Sequence, residues 1–172
     1  MENNEPREAS NRVITIYTDG SCHPVTGKGS WAAIILFRGQ KVVLSGKVKD
    51  TTHQRMELVA AIEALSYVHL RETAGEKIEI FTDSQYLAEL PRRREKLLLS
   101  GFKTRKNTPL SNSDLIRQLL LMFEKIEVRM IKVPSHEKNN GTVNYNREAD
   151  LWARKVLRDF VKKAGDAEAG CL

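Results

Sequence analysis

The sequence predicts an α/β fold: a mixed five-stranded sheet, its first three strands antiparallel, with helices on both faces. Three observations carry this expectation. Three strand-like segments come first, in succession. The apolar period then becomes helical from Thr52. Two further strand-like segments follow, separated by helical patterns.

Val13–Thr18 is β-branched and aromatic, which suits a strand that ends on Asp19-Gly20-Ser21. Trp31–Phe37 and Lys41–Val48 follow as strands, with Arg38-Gly39-Gln40 as the turn between them. From Thr52, apolar residues fall at Leu58, Ala61, Ile62, Leu65 and Val68, a helical spacing that Thr51 or Thr52 can cap. Lys77–Thr82 is a short strand ending on Asp83. Ser84–Leu90 starts a helix that Pro91 is expected to stop. Ser111 or Asn112 caps another helix, with Leu115, Leu119, Met122 and Phe123 on one face. Glu127–Val133 is the fifth strand. A last helix carries a stripe of Ala149, Trp152, Ala153, Val156, Leu157, Phe160 and Val161.

At 172 residues the chain is expected to form one domain, 12–164, between flexible tails at 1–11 and 165–172. No run of about 18 apolar residues predicts a membrane span. The N-terminus is polar and lacks the apolar core of a secretory signal, so the expected location is cytoplasmic. Cys22 and Cys171 stand near opposite ends, without metal-ligand spacing, and no structural disulfide is expected. Nothing in the chain requires a dimer, and a monomer is the expectation.

The net charge of +6 is local. Residues 92–106 hold seven cations, Arg92, Arg93, Arg94, Lys96, Lys103, Arg105 and Lys106, against Glu95. Removing these from the totals of 28 basic and 22 acidic residues leaves 21 of each. A neutral body with one basic protrusion fits contact with a polyanion. A solvated helix face is the other reading of such a run.

Four acids fall where an α/β sheet gathers its chemistry. Asp19 and Asp83 close strands, and open α/β sheets place ligands at the carboxyl ends of strands. Glu57 lies one turn before Ala61 and two before Leu65, close to the apolar face of its helix. Asp150 flanks the buried stripe of the last helix. Each has a simpler role open to it. Asp19-Gly20 is turn chemistry, Asp83-Ser84 can cap a helix, Glu57 can face water, and Asp150 can favour a helix start. If the four converge, they cannot all ionise without a counter-charge. Mg²⁺ would supply it through oxygen ligands, and two such ions suit in-line displacement at phosphorus.

The segments YTDGSC, TTHQRMELVAAIEAL, IFTDSQY, KVPSH and NREADLWAR follow the order and approximate spacing of type 1 ribonuclease H. The resemblance runs from about Val13 to Lys163 and is to the stand-alone bacterial type. It implies a ribonuclease H-like fold and a metal-dependent endoribonuclease. Such an enzyme cuts the RNA strand of RNA–DNA hybrids and leaves 5′-phosphate and 3′-hydroxyl ends. It implies Asp19, Glu57, Asp83 and Asp150 as ligands of two Mg²⁺ ions, for which Mn²⁺ can substitute. His136 matches a loop histidine that aids proton transfer or product release. Thr52 and Asn112 match positions that hold a DNA phosphate, and Gln54 and Gln85 match residues that reach the minor groove. The protrusion, with Arg92, Arg93, Arg94, Lys96, Phe102 and Lys103, matches the family's grip on the DNA strand.

The chain departs from the common pattern at four places: Val25 stands where Asn is common, Asp50 where Arg is, the basic protrusion lacks tryptophan and has Phe102 as its only aromatic, and the loop from His136 to Asp150 is longer. Three other readings stay open. One is a non-catalytic hybrid-binding module. Another is a ribonuclease H domain derived from a reverse transcriptase, against which the Met1 start and polar tails weigh. The third is a nuclease or transposase of the same fold acting on DNA, against which Gln54, Gln85 and the RMEL segment weigh.

Overall fold

The computed structural model describes residues 13–71, 76–135 and 143–169, with side chains described as far as 163. The expected N-terminal tail, His136 and Cys171 lie outside the described residues. The elements run β1 (Val13–Cys22), β2 (Gly29–Phe37), β3 (Gln40–Val48), α1 (His53–His69), β4 (Lys77–Thr82), α2 (Gln85–Ala88), α3 (Leu90–Leu99), α4 (Ser113–Lys125), β5 (Val128–Lys132) and α5 (Tyr145–Ala169). They build a five-stranded sheet of order β3-β2-β1-β4-β5. The first three strands pair antiparallel, whereas β4 joins β1 and β5 joins β4 in parallel.

The antiparallel hairpin follows from two residues. Arg38 and Gly39 both have positive φ, 47° and 74°. Phe37 pairs with Gln40 across them. Two left-handed residues in a two-residue loop match the twist of the strands they join.

Alternation along β1 divides the core. Ile14 and Ile16 are fully buried with Leu58, Ala61 and Leu65 of α1. Tyr17 points to the other face, where its ring meets Tyr145 of α5 at 5.4 Å. On that face Ser30 donates to the Ala153 carbonyl at 2.6 Å, and Ala149 and Ala153 are fully buried. Small residues on α5 let it lie close to β1 and β2. Each large aliphatic side chain buried on the α1 face contributes about 1.5–3 kcal/mol.

Four local expectations change. β1 does not end at Thr18: it runs to Cys22, and Asp19-Gly20-Ser21 pairs with Trp31, Ala32 and Ser30 of β2 instead of turning. The ladder supplied by β2 overrides the turn preference of Asp-Gly. Pro91 does not stop a helix. It sits in the first turn of α3, where its missing N–H has no intrahelical acceptor to lose. The expected Ser84 helix is short, capped by the Ser84 hydroxyl accepting from the Leu87 N–H. Helix α5 continues past residue 164 to Ala169, over positions expected in the C-terminal tail.

Candidate active site

Sheet topology brings the first three acids together. The parallel β1–β4 ladder has its last pair at Tyr17 and Phe81. Beyond it β1 continues beside β2, so Asp19 projects where β4 gives way to Asp83. Helix α1 crosses this point at very short range. A Cβ on Gly20 would lie 2.5 Å from the Glu57 nitrogen and 2.7 Å from the Met56 carbonyl carbon. Glycine is required there for the backbones to touch. Thr52 fixes the start of α1, its hydroxyl accepting from the Arg55 N–H at 3.4 Å. Glu57 then falls one turn in, against Asp19.

The result is a group of three carboxylates, Asp19, Glu57 and Asp83, with one oxygen from each within 4.8 Å of the others. Asp19 is buried, and the Glu57 side chain is only 2% exposed. Glu57 Oε2 is buried without a hydrogen-bond partner among the described residues. Asp150 stands beside the group but outside it. Its Oδ1 accepts from Arg154 Nε at 2.6 Å, one helical turn on. Its charge nevertheless acts on Asp19.

Burial, then the charges of Asp150 and Asp83, push the Asp19 carboxyl up to about 7, against smaller opposing effects of Arg154 and the Gly20 backbone. Burial first, then Asp19 and Asp83, hold Glu57 well above the ordinary carboxylate range. Burial and like charge both disfavour the ionised carboxylate, and a cation bound here would reverse the effect.

The donor set fits a hard divalent ion. All three groups offer oxygen, one oxygen is buried and unpartnered, and the cluster carries excess negative charge. Mg²⁺ takes such oxygen ligands, and one oxygen from each of the three acids lies within 4.8 Å of the others.

The expected substrate residues divide. Arg55 donates to Asn112 Oδ1 at 3.4 Å and makes a two-pronged pair with Asp114 at 3.0 and 2.7 Å. This ties the N-terminus of α1, with Thr52 and the exposed Gln54, to that of α4, where Asn112 stands at the cap position with a left-handed backbone and makes no side-chain cap hydrogen bond. Gln85 opens α2 two residues after Asp83, and its amide donates to Glu89.

Arg92, Arg93, Arg94 and Lys96 ride on α3. Arg93 lies 5.8 Å from the Tyr86 ring, and Arg94 pairs with Glu124 at 2.6 Å. Arg93, Lys96, Lys103 and Arg105 line a groove of about 300 Å³. Phe102 is the exception. It is only 6% exposed and belongs to the hydrophobic core, with Arg117 stacked 4.1 Å from its ring. It supports the protrusion from beneath and presents no ring for stacking on a substrate.

Gly20 reads as turn chemistry in the sequence, and His53, Arg55 and Arg154 have no expected role there, yet all four touch or position residues of this site. Two had a legible signal. His53 and Arg154 stand four residues from Glu57 and Asp150, the spacing of neighbours on one helix face.

A mixed sheet whose carboxylates meet at the end of its parallel strands, beside a basic helix, defines a metal-dependent nuclease. The chain belongs to the RNase H family, whose model matches residues 11–158. It is 36% identical over 154 residues to the ribonuclease H of Acetivibrio thermocellus, covering 88% of this chain and 99% of that one. With the ribonuclease H of Caldanaerobacter subterraneus subsp. tengcongensis it shares 33% over 156 residues, 90% of this chain and 97% of the relative. With that of Moorella thermoacetica it shares 37% over 148 residues, 85% and 92% of the two chains. A solved foamy viral protease-reverse transcriptase in complex with dsDNA superposes with a TM-score of 0.64, over 86% of this chain and 94% of that one. At 17% identity, that likeness speaks for the fold. Among the described residues no helix is long and apolar enough to cross a membrane.

Proposed function

We propose that this protein is an endoribonuclease that hydrolyses the RNA strand of RNA–DNA hybrids, leaving 5′-phosphate and 3′-hydroxyl ends. The observation that carries the reading is the convergence of Asp19, Glu57 and Asp83 within 4.8 Å. Asp19, Glu57, Asp83 and Asp150 would hold two divalent ions, Mg²⁺ in the first instance, with Mn²⁺ able to substitute. Bound there, the ions would lower the pKa of a water and stabilise the leaving oxygen.

The chain's own residues do the rest. Gly20 keeps α1 close enough for Glu57 to share the site with Asp19. Arg154 fixes the Asp150 carboxylate through its hydrogen bond to Oδ1. Thr52 and Asn112, joined through Arg55, present two helix N-termini to a DNA phosphate, which N–H groups and the helix dipole favour. Gln54, three residues before Glu57, and Gln85, two after Asp83, are exposed and offer amides that donate and accept. In a hybrid's minor groove such groups read the 2′-hydroxyls that separate RNA from DNA. Arg92, Arg93, Lys96 and Lys103 grip the DNA strand, and His136 assists proton transfer or product release. The enzyme works as a monomer in the cytoplasm.

The test is cleavage of end-labelled RNA in a hybrid with Mg²⁺, beside single-stranded RNA, duplex RNA and duplex DNA, each with and without EDTA. Hybrid-only, metal-dependent cutting is the expected result. Tight hybrid binding without cutting under Mg²⁺ or Mn²⁺ would instead make the chain a binding module.

A further inference from the structure

Three aromatic rings stand just ahead of three of the acids. Tyr17 precedes Asp19 by two residues, and Phe81 precedes Asp83 by two. Residues two apart in a strand share a face, so Tyr17 lies on the same side of β1 as Asp19. Tyr17 and Phe81 form the last pair of the parallel ladder between β1 and β4. Their rings stack at 4.9 Å, with planes 21° apart. The Tyr17 ring also meets the Tyr145 ring at 5.4 Å and 41°. Tyr145 is the first residue of α5, five before Asp150. Ring pairs at such distances attract beyond the area they bury. One ring of β1 thus joins the three segments that lead into Asp19, Asp83 and Asp150.

Asp150 is the acid that depends on such a link. Asp19 is fixed by the sheet, and Glu57 by the contact of its helix with Gly20. Among the described residues the Asp150 side chain bonds only to Arg154 of its own helix. Its distance from Asp19 is therefore set by how α5 seats on the sheet. Tyr145, Ala149 and Ala153 follow at intervals of four, on one helix face. Both alanines are fully buried, and the Ala153 carbonyl accepts from Ser30 at 2.6 Å. Ser30 pins the helix beyond Asp150, and Tyr145 pins it before. Lys41 of β3 holds the same first turn, 2.9 Å from Glu148 and 5.9 Å from the Tyr145 ring.

We infer that Tyr17 and Tyr145 are positioning residues: their stack on Phe81 seats the first turns of α5 and so keeps the Asp150 carboxylate beside Asp19. Neither ring takes part in the chemistry itself; each acts through Asp150. The inference rests on the proposed function for the part that Asp150 plays.

The test compares the native chain with Tyr145→Ala, Tyr145→Phe and Tyr17→Ala. Without substrate, amide hydrogen exchange at Glu148, Ala149 and Asp150 should quicken about tenfold in Tyr145→Ala, the scale of losing one aromatic contact with its burial. Tyr145→Phe keeps the ring and should exchange like the native protein. In single-turnover cleavage of a hybrid with Mg²⁺, Tyr145→Ala should lower the rate at least about tenfold with hybrid affinity unchanged. A remote change that misplaces a reacting group by about 1 Å can cost on the order of 10²-fold. Tyr145→Phe should keep the native rate. On an Asp150→Asn background, Tyr145→Ala should cost less than about twofold, because residues that act as one unit are not additive. Tyr17→Ala removes the same link from the sheet side and should reproduce these effects, so either alanine variant decides if the other does not fold. Native-like exchange in the alanine variants, or losses that add in full to that of Asp150→Asn, would overturn this inference alone. A native protein that cuts no hybrid would overturn it together with the proposed function.

Discussion

Gly20 of β1 and Glu57 of α1 touch through their backbones: a Cβ on the glycine would lie 2.5 Å from the Glu57 nitrogen. The contact sets the distance between Asp19, next in sequence, and the Glu57 carboxylate. Gly20→Ala should therefore act on stability and site together. Relieving the overlap means moving helix backbone, so a loss of about 1–3 kcal/mol is expected. Divalent-ion affinity should fall with it. Chemical denaturation and metal titration of the same variant check both, and an unchanged metal affinity would separate the contact from the site.

The metal-free protein should be less stable at neutral pH than in mild acid, through Asp19. Its folded pKa, about 7, lies above the 3.8 of the free group. The folded state therefore keeps the proton longer. The stability this brings is full below pH about 4 and is lost as pH rises to about 7. Asp19→Asn removes the charge, so without metal it should be more stable than the native protein at pH 8, on the order of 2–4 kcal/mol. Below pH 4 the two should converge. Mg²⁺ at pH 8 should raise the native protein and leave the variant nearly unchanged. Denaturation midpoints across pH 4–8 with EDTA or Mg²⁺ give the answer.

Arg55 joins Thr52 and Asn112 without touching the acids. Its pair with Asp114 is half open to water, at 32% and 61% exposure. Arg55→Ala should then cost at most about 1 kcal/mol of stability. Freed from each other, the two helix ends should bind a phosphate less well. The expected signature is a KM for hybrid raised several-fold with kcat little changed. A fall in kcat with KM unchanged would place Arg55 in the chemistry instead.

Phe102 and its neighbour Lys103 should separate packing from binding. Phe102→Ala empties a core position and should destabilise by about 3–5 kcal/mol. Lys103→Ala should leave stability within about 0.5 kcal/mol. If Lys103 meets a phosphate, its loss should flatten the salt dependence of hybrid binding by about one charge. Thermal melts and binding across a salt series distinguish these outcomes.

Much of this molecule could be read from its residues, because strand order and helical period are local properties. Glu57 was legible as a charge close to an apolar stripe, and Asp83 as a residue closing a strand. What escaped depends on distant partners. Asp19-Gly20 resembles a turn until β2 is seen to pair with it. Gly20 gains its meaning only from the helix that crosses it. Phe102 looked like the one aromatic of a basic protrusion, yet it is buried in the same core cluster as Leu97 and Ile116. Thr52 and Asn112 are sixty residues apart in sequence, and only Arg55 shows that they share a surface.

On the proposed function, the gathered acids perform the chemistry and are not needed to hold the hybrid. Single-turnover cleavage by native protein and Asp83→Asn, with hybrid affinity measured on the same samples, tests it most directly. Hybrid binding should stay within a few-fold of native while the cleavage rate falls by at least about 10³, the scale of losing one principal transition-state contact. Native-like cleavage by Asp83→Asn in Mg²⁺ would contradict it.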